Sequence, residues 1–225
     1  MRSYCFVTAL FLAVLSLASC ESSSTDSTPN NALTPPGVGS VFSYYGYYVD
    51  AAGVKIDSTA WYDTVTVIAT GIIYDGKNNV LQAKPGYQLP GSFWNYESNG
   101  DVSIHIDNHI SGSGEHSGWL TIPLASKGNA SFTSLDTVRN GTEIKFIESY
   151  TYTGDETITE AGHTFNTSTF IRENIYADGS SHNRVTEWYD RATGRFIKGD
   201  GPRQGAYSIW DWGGGKVDLI GYTLK

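Results

Sequence analysis

The sequence predicts an all-β domain with a strongly curved antiparallel sheet, a half-barrel or a barrel, with a β-sandwich as the alternative. Between Gly39 and Lys225, no stretch has apolar residues at the helical period over a length sufficient for a helix. Many short runs alternate apolar and polar residues instead, and turn signals separate them. Because no helix is then available to cover a flat sheet, we expect the sheet to curl or to split in two.

Three runs show the alternation most clearly. Their apolar members are Val65, Val67, Ala69 and Ile73; Val102, Ile104 and Ile106; and Ile144, Phe146, Tyr150 and Tyr152. Near the C-terminus the apolar residues occupy both faces, as Val217 and Leu219 alternate with Ile220 and Tyr222. This pattern favours a closed or strongly curved sheet over a flat one with a wet face. About 10 to 13 strands fit the chain at this spacing.

Glycine-containing turns separate the runs and indicate hairpins. They are Asp75-Gly76, Asn99-Gly100, Asn140-Gly141, Asp178-Gly179 and Gly213-Gly214-Gly215. Asn-Gly and Asp-Gly suit two-residue hairpins because both central residues can take a positive φ. The predicted strands are therefore neighbours in sequence and antiparallel in space.

The N-terminus has the features of a secretory leader. Arg2 supplies a positive charge, and an apolar run from Cys5 to Ala18 is short for a transmembrane helix. The segment Leu17-Ala18-Ser19-Cys20 resembles the lipobox of bacterial lipoproteins. In that family the cysteine thiol carries acyl chains, palmitate among them, and the chain is cut just before it. The resemblance implies a signal peptide at residues 1–19 and lipidation of Cys20.

Lipidation of Cys20 would leave the folded part without a free thiol, because Cys5 departs with the leader. Cysteine catalysis and cysteine metal sites are then excluded. Glu21 stands where the enterobacterial inner-membrane signal has Asp, so we expect the outer membrane. Residues 20–38 are polar and contain three prolines, which predicts a disordered tether reaching on the order of 25 Å. A single all-β domain is expected at residues 39–225.

Two segments in the C-terminal half carry a recognisable set of residues: Ala161, Gly162, Phe165, Trp188, Tyr189, Gly194 and Lys198. At these positions the chain resembles uncharacterised exported bacterial β-sheet proteins of the lipoprotein-carrier-like half-barrel type. The chain departs from the pattern at Glu160, where the family has proline, and at Asp190-Arg191-Ala192-Thr193. The resemblance implies a curved antiparallel sheet and no particular activity. By physical reasoning, we expect Gly162 and Gly194 to turn the chain and Phe165 and Trp188 to pack in the core.

Composition narrows the function classes. The net charge of −8 argues against nucleic-acid binding, which needs a basic face. A Gly-Gly-Gly-Lys run at residues 213–216 lacks the spacing of a phosphate loop, and no nucleophile elbow occurs. No cofactor and no catalytic residue is predicted.

One spacing would suit a metal ion. His105, Asp107 and His109 would share a face of one strand, and two imidazoles with a carboxylate can hold zinc. A solvated strand face explains the same residues, and we favour that interpretation, with no metal predicted.

Aromatic rows and isolated acids offer further candidates. Tyr45 with Tyr47, and Trp210 with Trp212, could form binding surfaces, although core or rim packing is the favoured explanation. Glu148 interrupts an apolar face, which predicts a buried acid or a residue placed beside an arginine such as Arg172. Acids for a hydrolase are available at Asp107, Glu148, Glu173, Glu187 and Asp211.

Three functions remain open from the sequence. We prefer a non-enzymatic envelope lipoprotein that is held on the membrane by lipidated Cys20. Such a protein would bind a lipid, a glycan or a protein. The alternatives are a hydrolase of envelope polymers and a structural or adhesive surface module. A deep apolar cavity would favour lipid binding. Two acids paired in a cleft would favour a hydrolase, and a filled core with an aromatic patch would favour the surface module.

Overall fold

The computed structural model describes residues 33–50, 54–84, 93–106, 116–139, 141–179, 181–201 and 215–225. These residues contain twelve strands and one short 3-10 turn at Asp57–Thr59, which confirms the predicted all-β class. The strands are β1 (Val41–Tyr48), β2 (Trp61–Tyr74), β3 (Lys77–Lys84), β4 (Phe93–Tyr96), β5 (Val102–Ile106), β6 (Gly118–Ile122), β7 (Asn129–Arg139), β8 (Thr142–Glu160), β9 (His163–Tyr176), β10 (Ser181–Asp190), β11 (Phe196–Asp200) and β12 (Gly215–Thr223). Within the described part of the chain, no helix has the length and hydropathy needed to span a bilayer.

All twelve strands belong to one antiparallel sheet that curls into a nearly closed barrel. The order is β6-β5-β4-β3-β2-β1-β12-β11-β10-β9-β8-β7. The first and last strands are therefore paired in the middle of the sheet, and β6 and β7 form its two edges. A single sheet rules out the β-sandwich alternative and confirms the strongly curved arrangement.

The seam of the barrel lies between β6 and β7. The backbone N–H of His116 donates to the carbonyl of Ser134 across it, at 3.1 Å. The ring of Phe132 on β7 packs against Gly118 on β6, where a Cβ atom would come within 2.8 Å of it. Packing and a local hydrogen bond therefore close the seam without a regular ladder.

The core lies on the inner face of the sheet, where the predicted alternation holds over most strands. Phe42 and Tyr44 on β1 are 2% and 1% exposed, and Val65 and Val67 on β2 are also buried. A bulge between Ser43 and Tyr44 shifts the pairing of β1 with β12 by one residue. Leu219 and Tyr222 are three residues apart, so a regular strand would place them on opposite faces. The bulge lets both face inward.

Two residues expected in the interior lie outside. Ile73 is 79% exposed, because irregular pairing around Gly71, whose φ is +69°, changes the phase of β2 after Ala69. Trp188 is also outside the core and its indole N–H donates to Glu156, while its neighbour Tyr189 is buried. Phe165, in contrast, packs in the core as predicted.

The tight turns form at the predicted glycines that the structure describes. Asp75-Gly76 and Ala161-Gly162 each have two consecutive positive φ angles, which suit the twist of a two-residue hairpin. Gly194 has a φ of +68°, and a Cβ atom there would lie 2.7 Å from Val102. A side chain at position 194 would thus be strained as well as crowded.

Residues 33–38, which the sequence places in the tether, contact the barrel. Leu33 packs against the core, and Pro36 is buried. The N–H of Thr34 donates to the carbonyl of Ala192 at 2.8 Å, and that of Gly37 to Lys225 at 3.1 Å. The packed domain therefore includes residues from Leu33 onward, six earlier than the predicted boundary at Gly39.

We predict that Gly215→Ala destabilises the fold by about 1–3 kcal/mol, because overpacking against fixed atoms costs that much. A Cβ atom at position 215 would lie 2.5 Å from the backbone carbonyl oxygen of Tyr47, which cannot rotate away. Gly221→Ala, on the same strand, is the matched control, because its Cβ would meet nothing within 4 Å. Urea unfolding measures both, and equal free energies of unfolding would contradict the register of β1 with β12.

Candidate functional site

The barrel interior holds a small cavity of about 40 Å³. Aromatic, aliphatic and charged side chains line it: Tyr44, Val65, Trp94, Ile104, Tyr150, Arg172, Glu187, Tyr189, Arg195 and Phe196. They come from eight strands and the turn before β11, and so converge only in the folded barrel. Ligand pockets for drug-sized molecules are about 300–1,000 Å³. This cavity is therefore far too small for an acyl chain.

An ion pair between β9 and β10 lies beside the cavity. Nε of Arg172 is 3.5 Å from Oε1 of Glu187, and both side chains are nearly inaccessible, at 8% and 5%. This contact is an ion pair without hydrogen-bond geometry. Burial lowers the pKa of Arg172, but the surrounding negative charges, that of Glu187 first and then that of Glu148, together with the neighbouring tyrosines, outweigh burial and raise the pKa above its usual range. Arg172 therefore stays charged inside the barrel.

Two tyrosines extend this ion pair into a network. The hydroxyl of Tyr189 donates to Oε2 of Glu187 at 2.7 Å, and the hydroxyls of Tyr150 and Tyr189 are 3.2 Å apart. Burial, reinforced by the charge of Glu187, raises the pKa of both tyrosines well above 10. They remain neutral and donate hydrogen bonds at any physiological pH.

Arg195, in the turn before β11, lies on the other side of the cavity. Its guanidinium stacks on two rings, with its Cζ atom 4.3 Å from the centroid of Trp94 and 4.9 Å from that of Phe42. The hydroxyl of Tyr44 lies beside it and donates to the carbonyl of Phe196 at 2.8 Å. Burial raises the pKa of Tyr44 to about 12, although the positive charge of Arg195 opposes this.

The outer face of the barrel carries a row of side chains in register across five strands. The partners are Tyr62 on β2, Tyr45 on β1, Asp218 on β12, Lys198 on β11 and Trp188 on β10. We call these five residues the outer row. Four steps between neighbouring strands span about 19 Å. The row has aromatic rings at both ends and a charged pair between them.

The aromatic end of the outer row is accessible. Tyr62 is 75% exposed, and its ring centroid is 4.9 Å from that of Tyr45. The ring of Tyr47 is 5.7 Å from Tyr45, and the ammonium of Lys55 lies over both of these rings at 5.3–5.4 Å. Tyr45 and Tyr47 therefore form part of an outer surface, whereas core or rim packing was the favoured sequence interpretation.

The middle of the outer row is a charged ladder. Nζ of Lys198 is 3.4 Å from Asp218 and donates to Glu160 at 2.7 Å. Burial raises the pKa of Asp218, although the charge of Lys198 opposes the change. Alongside, Lys216 contacts Asp200 at 2.9 Å. These groups offer both donors and acceptors next to the exposed rings.

His105 occupies a different environment from the predicted solvated strand face. It is 6% exposed, and its Nε2 contacts Oδ2 of Asp75 at 2.9 Å. The rings of Tyr74 and Trp119 meet it edge to face, at centroid distances of 4.9 and 5.0 Å. Its acidic partner comes from the β2–β3 turn, thirty residues earlier, which no local spacing could indicate.

Some of the other candidate site residues lie within the described part of the chain, and some lie outside it. Glu148 is half-buried and its charge acts on Arg172, as the sequence suggested. Glu173 pairs with Arg184 at 3.2 Å. Cys20, Asp107, His109, Trp210, Asp211 and Trp212 lie outside the described residues. Among the residues that are described, no group of three or more His, Cys, Asp or Glu side chains could hold a metal ion.

Comparisons with solved structures place the chain beside bacterial exported proteins. It shares its fold with a protein of Parabacteroides distasonis inferred to be a lipoprotein. The match has a TM-score of 0.50 at 16% identity and covers 84% of this chain and 97% of that one. At this identity the similarity shows a common fold and does not extend to activity.

Two weaker matches have TM-scores below 0.5. The hypothetical lipoprotein YmcC of Escherichia coli matches with a TM-score of 0.35 at 16% identity, over 86% of this chain and 88% of its own. A protein of Bacteroides fragilis, inferred to be exported and described as having a YmcC-like fold, gives 0.36 at 8% identity, over 85% and 98%. No protein-family model matches the sequence, and a search of curated proteins finds no match.

We predict that stability falls between pH 10 and 12, in part because of Tyr44. Above pH 10 an unfolded tyrosine loses its proton, whereas Tyr44 keeps its proton in the fold up to about pH 12. The unfolded state then binds fewer protons, so the free energy of unfolding falls by up to about 1.4 kcal/mol per pH unit. In Tyr44→Phe this part of the slope is absent. Urea unfolding across this range measures it, and identical slopes would contradict a buried hydroxyl.

Proposed function

We propose that this protein is a lipid-anchored lipoprotein of a bacterial envelope, and that its barrel binds a glycan strand along the outer row. The anchor is Cys20, at the end of a leader that resembles a lipoprotein signal. The shared fold with a protein inferred to be a lipoprotein supports this assignment. Glu21 after the cysteine favours the outer membrane, where the tether would hold the barrel close to the bilayer surface.

The main support is the exposed ring of Tyr62 beside the half-buried ring of Tyr45, aligned with the charges of Asp218 and Lys198. Flat ring faces suit the apolar faces of sugar rings, because aromatic side chains bury a large area at low entropic cost. Carboxylate and ammonium groups beside the rings can hydrogen-bond to sugar hydroxyls. The row extends about 19 Å, which is roughly the length of four sugar units.

A glycan fits this surface better than a lipid or a protein. The described cavity of about 40 Å³ has no room for an acyl chain, which argues against a lipid carrier. Protein interfaces are typically depleted of charge at their centre, whereas the centre of the outer row is a Lys198–Asp218 pair. A hydrolase would need free acids, and Glu187 is occupied by Arg172 and Tyr189.

The test is co-sedimentation of the full-length lipoprotein, in detergent micelles, with purified peptidoglycan sacculi. We predict that Tyr62→Ala weakens the affinity for sacculi about two- to twelvefold, because loss of one stacking ring costs about 0.5–1.5 kcal/mol. Tyr62→Phe keeps the ring and should bind like the wild type. Ile73→Ala is the matched control on the same strand, since Ile73 is 79% exposed, against 75% for Tyr62, but lies outside the outer row.

Two outcomes would contradict the glycan proposal. One is wild-type protein that stays in the supernatant together with all variants. The other is equal sedimentation of the wild type and Tyr62→Ala. Crosslinking of the wild type to a single envelope protein through Tyr62 would show that the outer row is a protein-binding surface instead.

A further inference from the structure

Arg195 is buried in the barrel without an acidic partner among the described residues. It is 2% exposed, and its Nε and Nη1 atoms have no hydrogen-bond partner in the described part of the chain. The stacking of Trp94 and Phe42 on the faces of the guanidinium accounts for its position. Such stacking leaves the edge of the guanidinium plane to hydrogen-bond acceptors, and the hydroxyls of Tyr44 and Tyr96 lie there, yet Nε and Nη1 still lack one.

The neighbouring acids are occupied by other donors. Asp190 accepts from the backbone N–H groups of Ala192 and Thr193, at 3.2 and 3.0 Å, and from the Thr193 hydroxyl at 2.7 Å. Glu187 is engaged by Arg172 and by Tyr189. Among the cavity lining, two arginines therefore face a single carboxylate, and the lining has one excess positive charge.

We propose that the cavity binds a small monovalent anion, a halide or a carboxylate the size of formate, against Arg195. The cavity of about 40 Å³ has room for one such ion, since a cavity of about 10–15 Å³ on the same measure already holds a water molecule. An anion supplies the missing charge as well as an acceptor, whereas water supplies only the acceptor. Burial without compensation is costly for a charged group.

Bound anion would stabilise the barrel, because a ligand that binds only the folded state raises the free energy of unfolding. The site is independent of the outer row, since Arg195 lies on the inner face and Tyr62 on the outer face. Loss of glycan binding in Tyr62→Ala would therefore leave the anion effect intact.

The test is thermal unfolding of the full-length lipoprotein at constant ionic strength, with sodium gluconate replaced stepwise by sodium chloride or sodium formate. Gluconate is too large for the cavity. We expect the melting temperature to rise by several degrees with chloride and with formate and to saturate. In Arg195→Gln, which keeps hydrogen-bond donors but lacks the charge, the rise should disappear. Arg184→Gln, at an arginine whose side chain is 59% exposed, is the control and should keep the response.

If Arg195→Gln does not fold, anomalous diffraction from wild-type crystals grown in sodium bromide provides the second measurement. A bromide peak within about 3.5 Å of the Arg195 guanidinium would support the site. A cavity filled with water at high bromide concentration would overturn the proposal. An identical chloride response in the wild type and Arg195→Gln would overturn it as well.

Discussion

The Arg172 guanidinium and the Glu187 carboxylate lie 3.5 Å apart inside the barrel, where water reaches neither freely. Removal of either partner would leave a buried charge without its nearest counter-charge, which typically costs about 3–5 kcal/mol. The hydroxyls of Tyr189 and Tyr150 complete the surroundings of the carboxylate. This network links β8, β9 and β10 to one another beside the described cavity.

The described cavity has no room for a large ligand, whereas the outer row offers such a ligand a binding surface. The convex face of the sheet presents Tyr62, Tyr45 and Trp188 in register with a lysine–aspartate pair, and the strand pairing rather than any loop sets their spacing. A surface built on paired strands is rigid, so a glycan would bind without a cost for ordering the protein. An acyl anchor at Cys20 would keep that surface close to its polymer without entering the barrel.

Most of the strands and hairpins of this fold can be predicted from local patterns in the sequence. The alternation at Val65 and Val67, and the turns at Asp75-Gly76 and Ala161-Gly162, correctly predict strands and hairpins, because each depends on neighbouring residues only. The sequence predicts Ile73 on the inner face, but irregular pairing within β2 changes which residues face inward, so Ile73 lies outside.

The functional sites depend on partners far apart in sequence. The sequence wrongly predicts Trp188 in the core because its side chain is large and apolar. Along β10, alternate residues face inward, and these are Glu187 and Tyr189, so Trp188 faces outward with its own neighbours. Likewise, the contacts of His105 with Asp75 and of Tyr45 with Tyr62 depend on how strands pair, which no spacing along the chain reveals. We propose that lipid is attached to this protein covalently, at Cys20, and that the barrel holds none. Native mass spectrometry of the lipoprotein extracted from its membrane distinguishes the two locations. We expect a chain that starts at Cys20 and carries acyl groups and no other lipid. A stoichiometric non-covalent lipid, or an unmodified Cys20, would overturn the proposal.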